Sequence, residues 1–498
     1  MTSAKTALYQ TPHIRACEQM AVDELGLTED ELMERAGSSA FSTLTMLHPD
    51  VRTISVFCGS GNNAGDGYVL ARLAKEKGYS VIINQYKAIE HLPPAARHAA
   101  LQAVAAGVPC QCLDDPIDSD AELIVDALLG IGLKGNVQGP IATAITQMND
   151  AQLPILAIDV PSGLDADTGR VMGVCVQASM TVTFIGYKLG LMTLDGPDHC
   201  GQVICHNLQL DKCLSSIHPA AYLLDENLPR TLLPRRLKNS HKGKFGHVLV
   251  IGGNYGMPGA ICLAANAALR VGAGLVTIAS RPEHARQVLP MLPEAMLHGI
   301  DEIKDLLPLI AKATVCILGP GLGDDEWAKA LFTAALASQL PMVIDASALR
   351  LLAQSPQHDD NWILTPHPGE AASLLNCTTG EVQQDRYQAA IRLQDQYGGN
   401  VILKGTGSLV ATDESEIYLC TAGNPGMASA GMGDALSGVI AGLVAQGLLL
   451  ADAAKLGTWL HASAGDAAAL EKGERGVLAS DLMPYLHRLV NWTPHDNC

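Results

Sequence analysis

The chain has 498 residues, of which 48% are hydrophobic and 17% charged, with a formal net charge of −18. That length holds two or three domains with complete cores, and the hydrophobic share excludes a disordered chain. The acidic balance argues against nucleic acid as a partner, so any polyanionic ligand must be held by local N–H groups and a few basic side chains.

In chain order, the N-terminal stretch MTSAKTALYQTPHIRACEQM lacks the apolar core of a signal peptide. Residues 18–24 and the segment from Thr28 read as helices, and Thr28 with Glu31 forms a capping box. Five β-rich runs follow: TISVFCG (53–59), SVIINQY (80–86), LIVDALLG (123–130), LPILAIDVPSG (153–163) and MTVTFIG (180–186). Helical or polar segments separate them, which predicts βα units and a parallel, doubly wound sheet. From Leu210 to Lys244 the chain is irregular, and a domain boundary is expected near residue 218, giving domains 1–217 and 218–498. Six further strands are predicted beyond it: HVLVIGG (247–253), LVTIAS (275–280), TVCILG (314–319), PMVIDA (341–346), NWILT (361–365) and NVILKG (400–405). The expected class is therefore α/β in both halves.

Thirteen cysteines occur without a CxxC pair, which argues against a zinc site and for a reducing, cytoplasmic setting. The most membrane-like stretch, Ala435 to Leu450, is too short and interrupted to span a bilayer. It is read as a buried helix, and no membrane is expected. The small-residue helices are as well suited to packing subunits as to packing a core, and a homo-oligomer is expected.

Three strand ends in the first half carry unusual residues. GSGNNAGDG (59–67) precedes the helix pattern YVLARLAKEKG, GIGLKG (130–135) follows Asp126, and DVPSGLD (159–165) ends a strand. GSGNNA fits the GxGxxA form of the dinucleotide fingerprint, but the acid expected at the end of the next strand is missing: Asn84, Gln85, Tyr86 and Lys87 stand there. Asn62 and Asn63 with Asp126 and Ser162 offer an oxygen-rich cage for a monovalent cation. The Gly-rich loops offer N–H groups to phosphate. Asp159, beside Pro161, is a candidate acid/base.

GSGNNAGDGYVLARLA, DALLGIGLKG and DVPSGLDADTG resemble the NAD(P)H-hydrate epimerase domain, a Rossmann-like fold, over nearly all of the first half. The resemblance implies that Asn62, Asn63, Ala64, Gly65 and Asp66, together with Gly130, Ile131, Gly132, Leu133, Lys134, Gly135 and Asn136, hold the hydrated dinucleotide. It implies that Asn63, Asp126 and Ser162 bind potassium, and that Asp159 contacts substrate as the acid/base. Ala64 stands where that family usually has Gly; a positive φ there would cost about 1 kcal/mol.

The second half ends in GNPGMASAGMGDALSG (423–438), where glycines lead into an apolar helix pattern at Asp434. Inward N–H groups and the first helical turn make an anion site suited to phosphate. A carboxylate at its rim is either a helix N-cap or a base that takes the proton of a hydroxyl attacking phosphorus. KGTGS (404–408), ILGPGLGDD (317–325) and TPHPGE (365–370) close other strands, and Met257 to Ala260 start a small-residue helix. GxxxxGK[ST] is absent, so the nucleotide site is not a P-loop.

These motifs resemble the ribokinase-like NAD(P)H-hydrate dehydratase domain. The resemblance implies ADP as co-substrate and a magnesium ion. Ala260, Gly323, His367 and Asp434 would contact the hydrate, and Lys404, Gly405, Thr406, Gly407, Ser408 and Gly433 would hold the nucleotide. Ala430 replaces the Gly more usual before GMGD. The substrates implied for the two halves together are NADHX and NADPHX, the hydrates of NADH and NADPH. The rivals are a vitamin-type kinase of the ribokinase-like fold, which leaves the first half unexplained, and an RNA-linked binding module related to the first domain.

Overall fold

The computed structural model describes residues 6–288 and 290–491. They divide into two compact units, Thr6–Tyr222 and the chain from Leu223 onward. The first unit is a seven-stranded sheet in the order Cys110–Cys112, Ser80–Gln85, Thr53–Cys58, Leu123–Ala127, Ile155–Ile158, Met180–Phe184, Gln202–His206. Every neighbouring pair is parallel. The strand order reverses between Thr53–Cys58 and Leu123–Ala127, and in such a sheet the crevice at the reversal is where ligands bind. Helices cover the sheet because its central strands are apolar on both faces; Val56 and Val125 are buried on one, Phe57 and Ile124 on the other. Burying each such side chain is worth roughly 1.5–3 kcal/mol.

Thr28 and Glu31 form the expected reciprocal cap on the helix Glu29–Leu47. The helix after the first strand starts earlier than its sequence pattern indicates. It spans Asn62–Glu76, so NNAGDG is its opening turns and not a preceding loop. Glycine is a poor helix former, which hides these turns, but here it serves close packing. A Cβ on Gly65 would stand 2.3 Å from the Met33 sulfur. Ala64 is helical and fully buried, with no positive φ, so its replacement of Gly carries no backbone penalty.

The second unit repeats the plan with nine strands, in the order Met296–Gly299, Leu275–Ser280, His247–Ile251, Val315–Leu318, Met342–Ile344, Trp362–Leu364, Asn400–Leu403, Ser408–Ala411, Ile417–Cys420. The first seven run parallel, and the last two add an antiparallel hairpin. The small-residue helix Pro258–Arg270 lies against Met432–Ala445, where a Cβ on Gly438 would stand 2.1 Å from the Ala264 carbonyl oxygen. The small residues of this pair are thus spent on a core contact.

Several strands escaped the sequence pattern. Cys110–Cys112, Gln202–His206 and Met296–Gly299 are edge strands, short or polar enough to lack a periodic signal. Ser408, read as part of a loop, begins a strand of the hairpin. No helix among the described residues is long and apolar enough to cross a membrane.

Candidate active sites

In the first unit the ends of Thr53–Cys58, Leu123–Ala127 and Ile155–Ile158 converge on a cavity of about 960 Å³. Asn62, Asn63 and Asp66 line it from the opening turns of the helix Asn62–Glu76, Gly130 to Lys134 from the next strand end, and Asp159 from the third. Ala64 and Gly65 lie on the other side of the same turns and pack in the core, and Gly135 and Asn136 do not line the cavity.

Behind the cavity wall Asp126 is fully buried. Its carboxylate accepts hydrogen bonds from the Ser162 amide (2.8 Å), the Ser162 hydroxyl (2.6 Å) and the Leu128 amide (3.2 Å). Burial raises its pKa to about 6, against the pull of those donors. Asn63 donates to the Leu129 carbonyl at 3.0 Å, and its buried Oδ1 has no partner. The Ser162 hydroxyl, bonded to Asp126, also reaches the Leu129 carbonyl that Asn63 holds, and an orphaned buried oxygen in such a cluster is one a cation would complete.

Asp159 follows its strand directly and adopts φ 66, a strained conformation for a residue with a Cβ. Its Oδ1 accepts from the Lys188 ammonium, the Thr183 hydroxyl (3.2 Å) and the Phe184 amide (3.3 Å). Lys188 is 1% exposed and also lines the cavity, as does Glu18 on the helix Thr11–Leu25. Neither was singled out from sequence. A lone lysine in FIGYKLG reads as a solvated strand end, and Glu18 reads as the polar face of a helix. Burial, then the nearby Asp159 and Glu18 charges, pushes Asp66 well above the carboxylate range.

In the second unit Ala260, His367 and Asp434 line a cavity of about 470 Å³, together with Met257, Ser347, Arg350 and Glu370. Gly431, at φ 88, is the N-cap of the helix Met432–Ala445, so Gly433 and Asp434 sit in its first turn and Asp434 is not the cap. Ala430 has no positive φ and strains nothing.

Around Asp434 stand two more carboxylates and one ammonium. Lys404 Nζ lies 3.0 Å from Asp345 Oδ1 and 3.8 Å from Glu370 Oε2, and the Ser437 hydroxyl donates to Asp345 Oδ2 at 2.8 Å. Burial works to raise Asp345, but Lys404 and the hydroxyls of Thr365 and Ser437 outweigh it and hold that group below the usual range. Asp434 is the opposite case. Burial first, then the charges of Asp345 and Glu370, raise it to about 7 despite Lys404.

The His367 imidazole is fixed by a capping box. Its Nδ1 accepts from the Gly369 (3.0 Å) and Glu370 (3.3 Å) amides, while its own amide donates to Glu370 at 2.9 Å. The tautomer is therefore Nε2–H. Lys404 to Ser408 form the turn between Asn400–Leu403 and Ser408–Ala411. Arg386, 2% exposed, holds that turn by donating to the Leu403 (3.3 Å), Lys404 (3.3 Å) and Gly407 (3.4 Å) carbonyls. In sequence it sits in a polar helix and carries no signal. A Cβ on Gly433 would stand 3.2 Å from Lys404 Nζ, so the turn and the helix terminus share one edge. Gly323 does not line this cavity; it packs against Asn254.

A family profile described as NAD(P)H-hydrate dehydratase matches residues 248–488, and one described as YjeF-related protein N-terminus matches residues 29–190. The bifunctional NAD(P)H-hydrate repair enzyme Nnr of Coxiella burnetii is 49% identical over 98% of this chain and 100% of its own length. The enzyme of that name from Escherichia coli is 43% identical over 96% of this chain and 93% of its own. The chain belongs to the bifunctional NAD(P)H-hydrate repair enzyme family. A ribokinase-like superfamily protein of Enterococcus faecalis, 30% identical, superposes with a TM-score of 0.51 over 55% of this chain and 96% of its own. The second unit thus has the ribokinase-like fold. Family membership along nearly the whole chain accounts for the first half, which the vitamin-kinase reading left without a role.

Proposed function

We propose that the two units repair hydrated nicotinamide cofactors in succession. The first interconverts the R and S epimers of NADHX and NADPHX. The second dehydrates the S epimer to NADH or NADPH with ADP, giving AMP and phosphate. The observation that carries the reading is Asp434: a carboxylate in the first turn of a helix behind a Gly-rich loop, with a pKa near 7.

Asp434 takes the proton of the C6 hydroxyl as its oxygen attacks the β-phosphorus of ADP, and AMP departs. The ring-nitrogen lone pair then expels phosphate from C6. Loss of a proton from C5 restores the double bond. First-turn N–H groups of the helix Met432–Ala445 and the Lys404–Ser408 turn hold the phosphates. Asp345, Glu370 and Asp434 around a single Lys404 leave surplus negative charge, which fits a magnesium ion held through Glu370. That ion would supply neutralisation of the transferring phosphoryl group.

In the first unit Asp159 exchanges the C6 hydroxyl proton. The unpartnered Asn63 Oδ1, with Asp126 and the Ser162 hydroxyl, fits a potassium ion. Potassium would neutralise Asp126 and brace the strand ends that carry the substrate loops. The same reading expects a homo-oligomer in a reducing, cytoplasmic setting; sedimentation would report the assembly.

The test supplies the purified protein with both NADHX epimers and either ADP, ATP or no nucleotide, and follows NADH absorbance. Complete recovery with ADP is expected. A plateau at one epimer would remove the epimerase assignment, and no recovery with any nucleotide would remove both.

A further inference from the structure

The epimerase reading leaves half of its proton traffic without a carrier. C6 of the hydrate bears its hydroxyl next to the ring nitrogen N1, and one route to its inversion, besides reversible dehydration, opens the C6–N1 bond and closes it on the other face. Opening needs a base at the hydroxyl and an acid at N1 in the same event. Glu18, Asp66, Asp159 and Lys188 all line the cavity and act on one another electrostatically.

Lys188 is fully committed. Its ammonium donates to Asp159 Oδ1, to the Thr183 hydroxyl (2.9 Å) and to the Phe184 carbonyl (2.8 Å), which is every donor a lysine has. Giving a proton to substrate would break buried hydrogen bonds. The three protein donors to Asp159 all fall on Oδ1, which leaves Oδ2 for the substrate.

Asp66 has the complementary surroundings. It is partly exposed to the cavity, and its carboxyl has no hydrogen-bond or ion-pair partner among the described residues. The buried cation of this cluster, Lys188, is already given to Asp159. Burial first, then the Asp159 and Glu18 charges, favour the protonated carboxyl against the pull of Lys188. Glu18 is also raised by burial, but Lys188 and Arg15 pull it back. Arg15, Glu29 and Lys134 are the other charged groups on the wall.

We propose that Asp66 is the second proton carrier of the epimerase centre, giving its proton to N1 while Asp159 Oδ2 removes the C6 hydroxyl proton, with Lys188 as a positioning residue that holds Asp159 by Oδ1 and so keeps Oδ2 for the substrate. This rests on the epimerase reading given above. In the forward step the O–H proton passes to Asp159, C6=O forms, the C6–N1 bond breaks with its electron pair going to N1, and the Asp66 proton completes N1–H. The C5–C6 bond rotates. In the return step N1 adds to the opposite face of the carbonyl, Asp66 recovers its proton and Asp159 gives one back to oxygen. Nothing is oxidised or reduced.

The experiment measures interconversion of pure R and S NADHX, resolved chromatographically, in the full-length protein without nucleotide. Asp66→Asn is expected to lower kcat by about 100-fold or more, with KM within a few-fold and the melting temperature not lowered. Lys188→Met is expected to lower kcat, and Lys188→Arg to restore most of it. Asp66→Asn within threefold of the wild-type kcat, a loss confined to KM, or a larger kcat loss in Glu18→Gln than in Asp66→Asn would overturn the assignment. Absence of rescue by Lys188→Arg would overturn the positioning role. A wild-type protein that does not interconvert the epimers would instead remove the underlying reading.

Discussion

Asp159 and Asp434 each stand at the carboxyl edge of a parallel sheet, yet their surroundings are opposite. Asp159 has a buried lysine bound to one oxygen. Asp434 has its lysine diverted: Lys404 lies 3.0 Å from Asp345, and Asp434 is left among like charges with a pKa near 7. One residue type thus serves two purposes, and the difference is set by where a neighbouring ammonium spends its hydrogen bonds. A carboxylate with one oxygen held by a buried ammonium is fixed in orientation and keeps its other oxygen for a substrate hydroxyl. An unpaired, half-desolvated one is poised to exchange a proton near neutral pH.

The sharpest way to break this comparison is to remove each carboxylate in turn. Asp434→Asn should lower ADP-dependent NADH recovery from the S epimer by about 1,000-fold and leave epimer interconversion intact. A loss of less than tenfold would refute the base role. Asp159→Ala should lower interconversion by about 100-fold while dehydration of the pure S epimer continues; full interconversion in that variant would refute the proton-exchange role.

A pH series sharpens the contrast. On the base role proposed for Asp434 its ionised form is the active one, so dehydratase kcat should rise with pH and level off above about 7. The same shift bears on stability. The folded-state pKa lies above the ordinary value of 3.8, so the protonated carboxyl is the one the fold favours. Its contribution is whole below that ordinary value and is lost as pH rises through about 7. Asp434→Asn should therefore flatten the fall in Tm over that window, a measurement calorimetry makes directly.

A smaller effect tests the scaffold under the second centre. Gly438→Ala places a methyl 2.1 Å from the Ala264 carbonyl oxygen, which overpacks the helix pair and should cost about 1–3 kcal/mol, read as a lower Tm. Smaller again is exchange of potassium for a bulky organic cation. It should slow epimer interconversion and leave dehydration of the S epimer unchanged, because Asn63, Asp126 and Ser162 belong to the first unit alone.

Much of the scaffold was legible along the chain. Apolar runs such as HVLVIGG and LIVDALLG, spaced by helical segments, announce parallel strands, because a strand buried on both faces must be apolar throughout. The strand-end motifs around Asn63, Asp126, Asp159, His367 and Asp434 were legible for a related reason: a Gly-rich turn with a polar residue at its tip has few structural uses. Helix starts were less so. NNAGDG reads as a loop, and only the Met33 sulfur close above Gly65 makes glycine the residue that fits a helix there.

By itself, then, the order of residues determined α/β structure in both halves and the polar, Gly-rich character of several strand ends, since these follow from local pattern and spacing. Only the tertiary structure decided which charge meets which. Lys188 reaches Asp159 across 29 residues, Lys404 reaches Asp345 across 59, and Ser437 reaches Asp345 across 92. Proton affinity depends on such non-local distances and on the water they exclude, and neither is written in the neighbourhood of the residue concerned.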